Sequence, residues 1–183
     1  VETILPRWQA DKTRGTFKYE FNDLNYDESD FPKVKVIVSS GVSLPFLINY
    51  LIHHRITGLQ WFAGIPGTIG GAVFNNIHGG SRFFHEVLKR VKVLTKSGKV
   101  IWLTKDDLDF DYDRSRFHDS GYVIVDVELQ LFEGDKDKAK KTAEEWAIQL
   151  DEVLNCPDNG VTLTIPVIKQ IQLDAWKQGM SDA

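Results

Sequence analysis

Val34-Lys-Val-Ile-Val38 alternates between apolar and polar residues before running apolar, which predicts a strand, and Ser39-Ser40-Gly41 breaks it. Leu44, Leu47, Ile48, Leu51 and Ile52 then recur at helical spacing behind Ser43, a residue suited to a helix N-cap. Pro45 falls in the first turn of that helix, where proline is tolerated, and Gly58 follows closely enough to act as its stop. Arg90–Thr95 and Lys99–Thr104 are β-rich runs around Ser97-Gly98, a hairpin signal. Lys105–Arg116 is polar and turn-rich. Tyr122–Phe132 is predicted as a strand with Val123, Val125, Val127, Leu129 and Leu131 on one face. Asp135–Leu154 is the clearest helix, with Ala139, Ala143, Trp146, Ala147, Leu150, Val153 and Leu154 on one side and Cys156-Pro-Asp-Asn-Gly160 ending it. Residues 1–33 read as short strands and a loop, and Pro166 opens a last helix carrying Val167, Ile171 and Trp176. The chain divides into a partial N-terminal segment (1–33), a core (34–135) and a C-terminal helical segment (136–183).

Composition narrows the functional class. The 183 residues are 42% hydrophobic and 26% charged, ordinary values for a globular domain, and neither a repeat nor a low-complexity tract is present. Lys+Arg number 22 against 26 Asp+Glu, a formal charge of −4. That balance argues against a dedicated nucleic-acid binder while leaving room for a local basic pocket. No apolar run approaches the roughly 18 residues that span a bilayer, so membrane insertion is not expected. One cysteine, Cys156, cannot close an internal disulfide, which fits a reducing, cytoplasmic setting. The start is not a signal peptide, and the single methionine is Met180, so the chain reads as a processed or excised piece of something longer.

Residues 62–80 hold six of the 14 glycines. Gly64, Gly67, Gly70 and Gly71 permit positive φ and close approach to a ligand, and Pro66 stiffens the turn between them. Thr68–Asn76 then begins a short helix whose first N–H groups would face a bound anion, such as a dinucleotide pyrophosphate. Asn75 and Asn76 add amides that would reach a ring edge. The spacing matches neither G-x-G-x-x-G nor G-x-x-x-x-G-K-[ST]. Spacing alone leaves a second reading open, in which the glycines serve only tight turns and helix packing.

Gly58-Leu-Gln-Trp-Phe-Ala-Gly-Ile-Pro-Gly-Thr-Ile-Gly-Gly-Ala-Val73 resembles the glycine-rich signature of the UDP-N-acetylenolpyruvoylglucosamine reductase (UDP-N-acetylmuramate dehydrogenase) family. Val36-Ile-Val-Ser-Ser-Gly-Val-Ser-Leu44 resembles the strand–glycine–helix before it. The hairpin, Asp107–Tyr112, the segment to Phe117 and the strand 122–132 follow in the family's order, so the likeness covers roughly residues 34–145. It implies an α+β FAD-binding domain of the vanillyl-alcohol-oxidase type, with a mixed or antiparallel sheet flanked by helices. It also implies FAD lined by Gly64, Ile65, Pro66, Gly67, Thr68, Gly70, Gly71 and Asn76 and backed by Ile124. The implied activity is NADPH-driven reduction of the enolpyruvyl group of a UDP-sugar, for peptidoglycan precursor synthesis. Oligomeric state is left open.

Three departures stand against the family pattern. Its tyrosine–arginine–x–serine–x–phenylalanine motif, whose arginine polarises the substrate carboxylate, appears here as Tyr112-Asp113-Arg114-Ser115-Arg116-Phe117. Tyr112 and Ser115 keep their places beside the substrate, while Arg114 stands one residue late. On a strand it would face the other side unless a bulge re-aims it, so an exposed loop arginine beside Asp113 is the competing reading. The family's proton-donating serine and its N-terminal Gly-x-Gly-Ser-Asn loop have no counterpart in the sequence. These gaps keep alive an alternative, a degenerate FAD- or nucleotide-binding module without reductase chemistry. The five histidines make no metal-ligand spacing. His53 and His54 suit a helix C-terminus, and His78 is notable only for adjoining the glycine segment. Lys89, Arg90, Lys92, Lys96 and Lys99 read as the solvated face of the hairpin.

Overall fold

The computed structural model describes residues 26–79 and 82–154, with side chains described through Ile148. The expectations for residues 1–25, for the stop at Cys156–Gly160 and for a helix after Pro166 lie outside the described residues. In chain order the elements are β1 (Lys33–Ser39), α1 (Leu44–His53), β2 (Ile56–Thr57), a 3-10 turn (Gln60–Phe62), α2 (Ile69–Phe74), β3 (His78–Gly79), β4 (Arg82–Phe83), β5 (Leu88–Leu94), β6 (Val100–Thr104), α3 (Phe117–Ser120), β7 (Val123–Glu133) and α4 (Lys136–Leu154).

β7 is the spine of the main sheet, which runs β1-β7-β5-β6, with β2 also pairing to β7. Every pairing among the described residues is antiparallel. Alternation sorts the side chains. Val38, Val91, Val93, Val127, Leu129 and Leu131 are buried on one face, against Leu44, Leu47, Ile48, Leu51 and Ile52 of α1, Ile69, Ala72 and Val73 of α2, and Ala139, Ala143 and Ala147 of α4. The opposite face is ionic. Arg90 Nε reaches the buried Glu128 carboxylate at 2.7 Å, Lys35 lies 3.7 Å from it, and Lys92 pairs with Asp126 at 3.2 Å. Arg90 and Lys92 also lie over Trp102, at 4.4 and 5.8 Å from the ring centre. Arg90 and Lys92 of the hairpin are therefore paired on this face, while Lys89, Lys96 and Lys99 are exposed.

Three details differ from the expectation. Gly58 does not stop α1: His54 caps it and Arg55 turns left-handed (φ 60°), while Gly58 (φ 122°) lies beyond β2. The inward stripe of β7 is not continuous either. The register against β5 shifts between Lys92↔Asp126 and Val93↔Ile124, so Val125 is an extra residue at a bulge. Ile124 then takes the inward place opposite Val93, and Val123 turns out to 60% exposure. Trp146 is half-buried rather than a core residue, and the alanines of α4 make the close contact instead.

Candidate functional site

The glycine turn is zipped onto the β1–α1 turn. Leu44 N–H donates to Gly67 O (2.9 Å), Ile69 N–H to Val42 O (2.9 Å) and Gly70 N–H to Ser40 O (2.8 Å), around an isolated bridge between Ser43 and Thr68. Ser40 N–H in turn donates to Val125 O (2.9 Å), fixing both turns to the start of β7. Close approach is required here, because a Cβ at Gly70 would stand 2.9 Å from Ser40 Cβ. Gly67 has φ +127°, a conformation strained for any L side chain.

This arrangement corrects one expectation about the short helix. Its first amides do not face outward: those of Ile69 and Gly70 donate to β1–α1 carbonyls, that of Gly71 to Thr68 Oγ1 (3.2 Å), and that of Ala72 to Thr68 O (2.9 Å). In the two turns, the backbone N–H groups of Gly41, Ser43, Gly64, Gly67 and Thr68 have no acceptor among the described residues, and all of these residues but the half-buried Gly64 are exposed. No atom lies within 4 Å of where a Cβ would stand at Gly41 or Gly67. Pro66, Gly71 and Asn75 are also exposed on this end of the sheet, with Gly64, Ile65 and Gly70 half-buried behind them. Ile124 is half-buried on the adjoining start of β7. The result is an open surface of unused backbone donors flanked by small residues. It fits a dinucleotide, whose phosphates and ring edge accept hydrogen bonds and need the backbone within reach. The signal for Gly41 and Ser43 was present in Val36–Leu44, but read by itself Ser39-Ser40-Gly41 only breaks a strand.

Asn76, placed by the sequence with these donors, does something else. It is buried in a left-handed conformation (φ 45°); its Nδ2 donates to Asp111 O (2.9 Å), and its Oδ1 accepts from His85 N (3.2 Å) and lies 3.0 Å from His85 Nδ1. Burial holds the His85 imidazole below its ordinary titration range. Asn76 thus clips the loop 109–118 to the end of α2. Ser115 does the same from the other side. Its buried hydroxyl donates to Phe74 O (2.5 Å) and accepts from Phe117 N–H (3.3 Å), and the His118 ring lies tilted against Phe74 at 4.3 Å.

Arg114 is neither on a strand nor re-aimed by a bulge. It closes a tight turn, exchanging backbone hydrogen bonds with Asp111 (3.0 and 3.2 Å), with Asp113 left-handed at φ 51°. Its Nη2 meets Asp119 Oδ2 at 2.7 Å, both side chains being well exposed. Tyr112, also exposed, lies 4.9 Å ring-to-ring from His78, whose Nε2 is 3.6 Å from Asp113 Oδ1. The sequence's substrate-side residues therefore separate: Ser115 points inward, and Tyr112 and Arg114 point to solvent. Among the described residues no cluster of three or more His, Cys, Asp or Glu side chains is arranged to hold a metal ion. No helix of the described residues is long and apolar enough to cross a membrane.

Comparison with known proteins agrees with this geometry. Residues 18–104 match a family model described as an FAD binding domain. The chain is 36% identical over 122 residues to the UDP-N-acetylenolpyruvoylglucosamine reductase of Clostridium novyi (strain NT), covering 66% of this chain and 38% of that protein. Against the enzyme of the same name from Clostridioides difficile (strain 630) it is 26% identical over 144 residues, 78% of this chain and 47% of that one. The crystal structure of UDP-N-acetylenolpyruvylglucosamine reductase from Thermus caldophilus superposes with a TM-score of 0.59 at 25% identity, over 70% of this chain and 46% of that chain. The chain thus spans less than half the length of the relatives it matches.

Proposed function

We propose, from the premise that the chain belongs to the UDP-N-acetylenolpyruvoylglucosamine reductase family through its FAD-binding domain, that it serves the reduction of UDP-N-acetylglucosamine enolpyruvate to UDP-N-acetylmuramate by NADPH. The observation that carries the reading is the exposed row of unpaired amides at Gly41, Ser43, Gly67 and Thr68, in a stretch that matches a flavin domain. When bound there, FAD supplies hydride transfer between NADPH and the enolpyruvyl double bond. The chain's own part is orientation and charge. Backbone donors hold the dinucleotide without a charged side chain, Gly64–Gly71 and Asn75 lie along it, and Ile124 backs the ring. Asn76 contributes by fixing the loop that carries Tyr112 and Ser115. Tyr112 borders the substrate. Arg114, whose guanidinium pairs with the exposed Asp119 among the described residues, would swing toward the substrate carboxylate.

A cytoplasmic location and a UDP-sugar as the small-molecule partner follow from the same reading. It is favoured over a non-catalytic nucleotide module because the relatives with this stretch bear the reductase name. The test is to add FAD to the purified chain and follow flavin absorbance, then NADPH consumption. Flavin retention with NADPH oxidation dependent on the enolpyruvyl UDP-sugar supports the reading. A chain that stays colourless with excess FAD overturns it.

A further inference from the structure

β6 is an edge of the main sheet: among the described residues no strand pairs with it on the side away from β5. The hairpin fixes which of its main-chain groups look outward. Thr95 N–H donates to Lys99 O (2.8 Å), so these two residues form a hydrogen-bonded pair. Alternation from there gives Ile101 and Leu103 their bonds with Val93 and Val91, and turns the N–H and C=O groups of Val100 and Trp102 away from β5. Thr104 faces the same way, but its N–H is taken by Asp107 Oδ2 (2.8 Å). Two donors with their carbonyls are thus left along the edge, about 7 Å apart.

The side chains beside them are apolar. Val100 is 56% exposed, and Ile101 and Trp102 37% each. On the outer face Val100 continues a cross-strand row through Leu94 to Val123, both exposed. The two ends of the strand differ in charge. At Lys105 the exposed Asp106 and Asp107 offset the cation, whereas the turn 95–99 carries the exposed Lys96 and Lys99 and no acid. An unpaired edge of this kind accepts a further strand through its main chain. A second copy of β6 is disfavoured there, because antiparallel pairing centred on Trp102 sets Lys99 opposite Lys105.

We propose that β6 is a docking edge for an extended segment of a partner protein, apolar at alternate positions and acidic at its C-terminal end, which adds antiparallel to Val100–Thr104. Antiparallel addition matches every other pairing among the described residues and ends the incoming strand beside Lys99. The main chain of Val100 and Trp102 supplies the ladder, the apolar row receives alternate side chains, and Lys99 selects for acid. No residue of β6 belongs to the proposed flavin site, so the proposal stands or falls apart from that reading.

The test titrates the isotope-labelled full chain with an acetylated, amidated heptapeptide, Thr-Val-Thr-Val-Thr-Glu-Glu, and with its Lys-Lys counterpart, following backbone amides by NMR. Saturable shifts at the Val100 and Trp102 amides are expected, with the acidic peptide at least fivefold tighter and its advantage shrinking as salt is raised. Lys99→Glu should remove that advantage. Val100→Pro deletes one outward donor while sparing the bonds to β5, and should weaken the acidic peptide tenfold or more. Equal affinity for the two peptides, or no shift at β6 with millimolar peptide, would mean that the lysines only guard the edge and would overturn the proposal. Concentration-dependent dimerisation that protects the same amides would overturn it as well. The peptide pair decides the matter on the unmutated chain even if the proline variant fails to fold.

Discussion

The glycine turn and the loop 109–118 both pack against α2, yet they handle their polar groups in opposite ways. The turn leaves amides at Gly67 and Thr68, with those of Gly41 and Ser43 beside them, facing solvent. The loop spends its groups internally: Ser115 on Phe74, Asp111 on Asn76, Arg114 on Asp119. A surface prepared for a ligand is recognisable by donors the fold declines to use. A loop that satisfies itself is held ready without revealing what it touches. The flavin side of the proposed reaction is thus the better supported, and the substrate side rests on Tyr112 and Arg114 turning outward.

That contrast can be broken at several strengths. The largest effect is expected at Asn76→Ala, which removes a buried side chain bonded to both the Asp111 carbonyl and the His85 amide; unfolding free energy should fall by about 2 kcal/mol in denaturant titration. Gly41→Leu is the converse. Nothing lies within 4 Å of its Cβ position, so stability should hold within about 0.5 kcal/mol, while FAD affinity drops tenfold or more by calorimetry. Unchanged affinity would remove the open amide row from the site. Ser115→Ala should cost about 1 kcal/mol of stability and leave FAD affinity unaltered, because its hydroxyl is an internal clamp.

Titration sharpens the same contrast. The folded state holds His85 below its ordinary range, so the unfolded chain binds its proton more readily. The stability linked to this group is present above the ordinary histidine range and is lost as pH falls through the depressed value. NMR should place the His85 titration below that of an exposed histidine, and Asn76→Ala should move it. The smallest effect is at Arg114→Ala. Loss of an exposed pair should change stability by no more than about 0.5 kcal/mol, so any large fall in NADPH turnover would report contact with substrate rather than folding.

Much of the scaffold was legible because periodicity is local. All five apolar positions expected of α1 are buried, and the hairpin at Ser97-Gly98, with φ 77° at Gly98, is where its turn residues place it. What escaped depended on partners distant in sequence. The Val125 bulge exists only against β5, so alternation along β7 alone put Val123 on the wrong face. The outward amides of the short helix were expected from its sequence, but β1–α1 carbonyls claim the first two and Thr68 the next two. Asn76 was expected at the ligand from its amide and from the family resemblance; its side-chain partners, Asp111 and His85, are 35 and 9 residues away.

A Cβ at Gly79 would stand 2.0 Å from the Trp61 carbonyl oxygen, so two stretches of main chain touch there with no space for even a methyl group. The two feet of residues 61–79 therefore meet there like a buckled strap, one whose middle is seated in the core through Ile69, Ala72 and Val73. Everything proposed to cradle the cofactor between Ala63 and Asn76 hangs on that strap. Closed at its feet but shaped by the β1–α1 turn and the core, that segment would keep its form in another scaffold only if those partners travelled with it.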